Sequence, residues 1–170
     1  MYDLHSILIQ LKKEDTPLHG VMVRCVRCFY QWLDPTLLEG SALFELWEQE
    51  LELIYGDLRQ RLSPNAKTDA GSLGDRFGFD TPPELPRLLQ SIQTFYSVLI
   101  KFIAWNTLRG ATPEPPLTEL LSGRAFVNRG IRNFCGDDWY IWPLDIWDPA
   151  LETQCEELRA CLESFDTCPD

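Results

Sequence analysis

The chain has 170 residues, 45% of them apolar and 24% charged, which is the composition of one ordinary globular domain and excludes a disordered or fibrous chain. Its 15 basic residues face 26 acidic ones, a formal charge of −11. That balance excludes a protein that grips phosphates or anionic lipid with its whole surface, so any contact with nucleic acid has to be local.

The opening segment carries Asp3, His5 and Gln10 among its apolar residues, unlike the basic-then-apolar order of a signal peptide. The longest apolar stretch, Phe95 to Trp105, contains Ser97 and Lys101 and is shorter than the ~18 to 20 residues of a membrane span. A cytoplasmic protein with no membrane partner is expected.

Leu4, Ile7, Leu8 and Leu11 have helical spacing, and Lys12 and Lys13 suit the end of that helix. After a break at Thr16-Pro17, a second helix is predicted over 18–33, through Val21, Val26, Phe29 and Trp32 and ended by Asp34-Pro35. Cys25 and Cys28 lie within it. Their spacing is that of a zinc knuckle, but no second pair follows, so buried thiols are predicted and no metal is assigned. Ser41 caps a third predicted helix over 42–62, whose apolar stripe includes Leu43, Trp47, Leu51 and Leu58.

The segment 63–81, with Gly71, Gly74 and Gly78, reads as a long mobile connection. Gly71-Ser72-Leu73-Gly74 lacks both a preceding strand and a Lys-Ser/Thr pair, so it is not a phosphate loop. Thr81-Pro82-Pro83-Glu84 has the pattern of an N-cap, Pro86 offers a second start, and a helix of about 23 residues then reaches Arg109. A Pro-rich linker over 111–116 precedes a short helix at Leu117 to Leu121 closed by Gly123. Arg124 to Asn133 forms a further turn, followed by an aromatic loop from Phe134 to Trp147. The last helix has Asp148 as cap, Pro149 at its first position, and Leu151, Cys155, Leu158, Leu162 and Phe165 on one stripe. No alternating strand pattern appears. The predicted fold is all-α, an irregular multi-helix bundle in a single domain over 1–170, with a long Gly/Pro loop and an aromatic-rich loop.

Catalytic signatures are missing from this pattern. His5 and His19 stand in no nucleophile or metal motif, so no catalytic residue and no cofactor is assigned. Asp137, Asp138, Asp145 and Asp148 could converge on a divalent cation, or serve as caps and turn residues. The charge is polarised: 101–132 is net +3 and 136–170 is net −9. Arg124, Arg129 and Arg132 fall in an acid-free stretch beside Asn128 and Asn133, which suits contacts with phosphates and bases. The same arginines could neutralise acidic segments packed nearby. Trp139, Tyr140, Trp142 and Trp147 fit either a stacking platform or rings folded over a helical core.

Three segments in order carry a family resemblance. They are Phe44-Glu45-Leu46-Trp47 with Ile54-Tyr55-Gly56; Gln93 through Ala104, with Thr94-Phe95-Tyr96 and Leu99-Ile100-Lys101; and Ser122-Gly123 through Gly130-Ile131-Arg132-Asn133-Phe134 to Asp138-Trp139-Tyr140 and Trp142. Together they resemble the helical region that precedes the catalytic domain in large N6-adenine DNA methyltransferases of restriction-modification and phage-defence systems. The resemblance spans about residues 40 to 165.

It implies methyl transfer from S-adenosylmethionine to a flipped adenine, through a Gly-rich cofactor loop and an Asn/Asp-Pro-Pro-aromatic motif. Neither motif is here: Asp80-Thr81-Pro82-Pro83 separates Asp from the prolines, and Asp148-Pro149-Ala150 lacks the second proline. The expectation is therefore a non-catalytic helical module, whether split subunit, truncated product or fragment, that partners a catalytic methyltransferase subunit or domain. Lys101, Arg109, Arg124, Arg129 and Arg132 are its candidate DNA contacts, and Trp139, Tyr140, Trp142 and Trp147 its candidate docking residues. The alternative is an acidic helical adaptor that binds protein and is unrelated to DNA.

Overall fold

The computed structural model describes residues 4–34, Trp47, Gln49, Leu53, 66–135, 138–147 and 149–165, with backbone alone for 66–70, 138 and 139. Regular structure among them is entirely helical. The predicted helix over 42–62 lies outside the described residues except for Trp47, Gln49 and Leu53, which are helical.

Helix α1 (Leu4–Lys12) buries Ile7 and Leu11 and leaves Leu4 and Leu8 exposed. Helix α2 (Pro17–Trp32) starts at Thr16, whose hydroxyl oxygen accepts from the His19 backbone N–H at 3.2 Å, with Pro17 already at helical φ. His19 itself is buried, and its Nδ1 lies 3.0 Å from the Leu11 carbonyl at the end of α1. An imidazole N–H there satisfies a carbonyl that the helix cannot. The α1–α2 corner is thus fixed by a cap on each side.

Helix α3 (Ala66–Arg76) occupies most of the stretch predicted as a mobile connection. Glycine is unfavourable in a helix, but Gly74 has a tertiary reason: a Cβ there would lie 2.5 Å from Pro83 Cδ. The helix ends where Gly78 takes φ +68°, with the Phe79 N–H on the Gly74 carbonyl and the Gly78 N–H on that of Asp75. Phe77, just past the helix, is buried in the core.

Helix α4 (Leu85–Leu108) is the longest described, and it runs through the middle of the molecule. Its cap is Glu84, not Thr81, and Pro86 supplies the helical start. The Glu84 backbone N–H donates to the Tyr30 hydroxyl at 2.9 Å, while Arg87 donates from Nε to the Tyr30 carbonyl at 2.6 Å and lies over the Tyr30 ring. These bonds join the start of α4 to the end of α2. Gln90, one turn further on, is fully buried, and neither of its amide atoms has a hydrogen-bond partner among the described residues.

Short helices α5 (Leu117–Leu121), α6 (Arg124–Val127) and α7 (Asp138–Ile141), with a 3-10 turn at Trp142–Leu144, lead to α8 (Pro149–Glu163). Leu151, Cys155, Leu158 and Leu162 form the buried stripe of α8, as its spacing predicts. Helix α2 packs against α8 on one side and α4 on the other, and the core fills the space between them. Asp148, the predicted cap of α8, lies outside the described residues.

Candidate functional site

The two sides of α4 differ. Leu88, Phe95, Phe102 and Trp105 face the core, whereas Tyr96 and Ile100 are 42% and 53% exposed. Beside them lies a groove of about 350 Å³, bounded by Gln93, Tyr96 and Ile100 of α4 and by Asn133, Phe134 and Tyr140 opposite. Gln93 Oε1 accepts from Trp47 Nε1 at 3.3 Å and from the Tyr140 hydroxyl at 2.8 Å, using both lone pairs of one amide oxygen. That oxygen joins all three segments of the sequence resemblance.

The wall opposite α4 is shaped by two glycines. Gly123 takes φ +78° between α5 and α6, and a Cβ on it would lie 2.2 Å from the Phe134 carbonyl oxygen. No other residue lets the backbone at Phe134 approach so closely. Gly130 takes φ +79° and turns the chain after α6, with the Ile131 N–H on the Phe126 carbonyl. The Phe134 ring then packs on Phe126 at 4.4 Å, and Phe126 meets Trp105 edge-on at 5.8 Å.

The five predicted DNA contacts separate into two sets. Lys101 is 3% exposed and its Nζ donates to the Leu121 carbonyl at 2.6 Å, a cation at the C-terminus of α5. Its Nζ is thus engaged at the end of α5, while the side chain also lines the groove. Arg109 pairs with Glu114 at 2.6 Å, and Glu114 also meets Arg159 at 3.3 Å, so the Pro-rich linker is held against α8. Arg129 donates to the carbonyls of Leu108 and Arg109 and to the Thr112 hydroxyl, with its guanidinium over the Trp105 ring at 5.1 Å. It closes the C-terminus of α4. Arg124 and Arg132 are exposed and make no ion pair or hydrogen bond through their side chains among the described residues. The sequence pattern brought these five together, and the fold commits three of them to its own helix ends and linker.

The aromatic loop is divided in the same way. Trp142 is buried, donates from Nε1 to Thr94 Oγ1 at 3.0 Å and meets Phe29 edge-on at 5.8 Å. It belongs to the core. Trp147 is half-buried against that core, Tyr140 lines the groove, and the Trp139 side chain lies outside the described residues.

Burial holds the Cys25 thiol well above its usual range, and nearby Cys155 and Cys28 add to the effect. Cys155 is pushed up to about 12, again mainly by burial, then by Cys28 and two glutamates. Cys25 is buried, as the helical pattern around it predicts, and so is Cys155, whereas Cys28, predicted buried with Cys25, is half-buried. Among the described residues, no group of three or more His, Cys, Asp or Glu is placed to hold a metal ion, and Asp145 is exposed.

The groove residues Gln93, Tyr96, Asn133 and Phe134 were not singled out as a site by the sequence. A signal existed: Tyr96 and Ile100, four apart, lie off the stripe formed by Phe95, Leu99 and Phe102. No protein-family model matches the chain, and no curated protein or solved structure matches it either.

Proposed function

We propose that the chain is a non-catalytic helical module of an adenine-specific DNA methyltransferase of the restriction-modification or phage-defence kind, which supports a catalytic partner or helps hold DNA. One observation carries this reading. The three sequence segments that resemble the helical region of such enzymes meet at the Gln93 side-chain oxygen, with Trp47 on one side and Tyr140 on the other. Residues scattered over nearly a hundred positions have a shared reason to be alike if they build one groove.

Within this reading, Arg124 and Arg132 are the DNA contacts, and Lys101, Arg109 and Arg129 hold the fold. Methyl transfer belongs to the partner, since the chain carries neither the Gly-rich cofactor loop nor the Asn/Asp-Pro-Pro-aromatic motif.

The test is co-expression with the product of a neighbouring reading frame that encodes both motifs. A stable complex, and N6-adenine methylation that needs this chain, are the expected results. No complex, or methylation indifferent to the chain, would overturn the reading. The competing adaptor reading draws on exposed Tyr96 and Ile100, because buried Trp142 offers no docking surface.

A further inference from the structure

We infer that the proline strap at 112–116, between α4 and α5, is a docking ligand offered to a partner protein whose groove is lined by aromatic rings. Its sequence is Thr112-Pro113-Glu114-Pro115-Pro116. Proline fixes φ at about −65°, and a residue that precedes proline is driven to extended ψ, as Thr112, Glu114 and Pro115 do here. Every position of the strap is thereby pushed toward a polyproline II helix. The strap is accordingly neither helix nor strand, and Pro116 stands at φ −52° and ψ 145°.

Such a helix has about three residues per turn, so positions three apart share an edge. Thr112 and Pro115 form one edge, Pro113 and Pro116 a second, and Glu114 lies on the third. Side-chain contacts tie the first and third edges to the molecule. Arg129 donates to the Thr112 hydroxyl, Pro115 is half-buried, and the Glu114 carboxylate meets Arg109 at 2.6 Å and Arg159 at 3.3 Å. Leu117, the next residue, is buried and holds the far end. Pro113 and Pro116 are exposed, and together they make the Pro-x-x-Pro edge that aromatic-lined grooves of proline-recognition domains grip.

Order and charge both favour that occupant. A free proline-rich peptide loses its remaining conformational freedom when it binds, whereas the two ion pairs and the Arg129 bond already hold this strap in place. Glu114 is its only ionisable residue and is neutralised by two guanidinium groups, so the offered edge is apolar and selects rings over charge. The cations beside it, Arg109, Arg129 and Arg159, are all engaged, which leaves none of them for a phosphate or an acidic peptide. The strap acts without DNA and without the methyltransferase partner proposed above, so it goes beyond that reading.

The experiment is a titration of the full chain with two purified proline-recognition domains of different fold, an SH3 domain and a WW domain, each read by its own tryptophan fluorescence. At least one should bind saturably, and a poly-proline peptide in excess should displace the chain from it. Pro113→Ala should weaken binding about tenfold and leave the melting temperature unaltered. Glu114→Gln frees the strap without touching the offered edge and should weaken binding about threefold. Tyr96→Ala, in the groove beside α4, should change nothing. Binding to neither domain, failure of poly-proline to compete, or affinity that survives Pro113→Ala combined with Pro116→Ala would overturn the inference and leave the strap a plain stiff connection. Methylation with a co-expressed partner is a separate readout, so the two readings fail independently.

Discussion

The two sides of α4 make one helix serve opposite demands. Toward α2 and α8 it offers Phe95, Leu99 and Phe102 to a dry seam, where buried thiols are held neutral and Trp142 finds Thr94 as its hydrogen-bond acceptor. Toward the groove it offers Gln93, Tyr96, Ser97 and Ile100, a mixture of amide, phenol, hydroxyl and aliphatic groups. A core face is defined by what fits, and its residues are interchangeable only with others of their volume. On the open face Tyr96 and Ile100 are exposed, so their side chains contribute little to folding, while Gln93 ties the groove to Trp47 and Tyr140. Adjacent positions on one helix should therefore respond to substitution in unrelated ways.

Phe95 and Tyr96 give the sharpest contrast. Phe95 has no exposed surface, so Phe95→Ala should cost about 3 to 5 kcal/mol in urea denaturation, whereas Tyr96→Ala should cost less than ~1 kcal/mol. Equal losses would erase the distinction between the faces. Next in size is Gly123→Ala, which places a Cβ against the Phe134 carbonyl at a φ of +78°. A loss of about 2 to 3 kcal/mol is expected, with the groove wall displaced.

The seam also predicts a pH dependence. Burial raises Cys25 and Cys155 in the folded protein, so the unfolded chain ionises first. Stability is complete below the ordinary thiol value of 9.0 and falls as pH rises toward about 12. Between those limits, Cys155 should remove up to ~1.4 kcal/mol per pH unit, and Cys25 acts in the same direction. Urea midpoints from pH 7 to 10.5 would measure this, and Cys155→Ala should lessen the slope.

The smallest effect separates two arginines three positions apart. Arg129→Ala removes the group that closes α4 and should cost ~1 kcal/mol without changing the salt dependence of DNA binding by the proposed complex. Arg132→Ala should leave thermal stability unaltered and lower the salt slope of duplex DNA binding by ~0.9. The reverse assignment would exchange the structural and binding roles of the pair.

Local pattern made much of this fold legible, and non-local contact explains the remainder. The stripe of Leu151, Cys155, Leu158 and Leu162 predicts α8, and Pro17, Pro86 and Pro149 mark three helix starts, because spacing and fixed φ are properties of neighbouring residues. Helix α3 escaped detection because the reason for Gly74 is Pro83, nine positions away. Thr81 has the chemistry of a cap, yet the start of α4 follows the Tyr30 hydroxyl on another helix. The basic cluster was visible as composition, but composition could not divide Arg132 from Lys101, whose Leu121 partner is 20 positions distant.

The Gln93 oxygen has a consequence for the order in which the molecule assembles. It receives one hydrogen bond from 46 residues upstream and another from 47 residues downstream, nearly symmetric closures about the central helix. Neither end of the chain can complete the groove by itself, and both closures are long compared with the turns that build the helices. During synthesis the groove would be finished only after the residues following α6 emerge. In the mature protein its amide protons should exchange with solvent before those of the α2–α8 seam, so hydrogen exchange would record the same order in reverse.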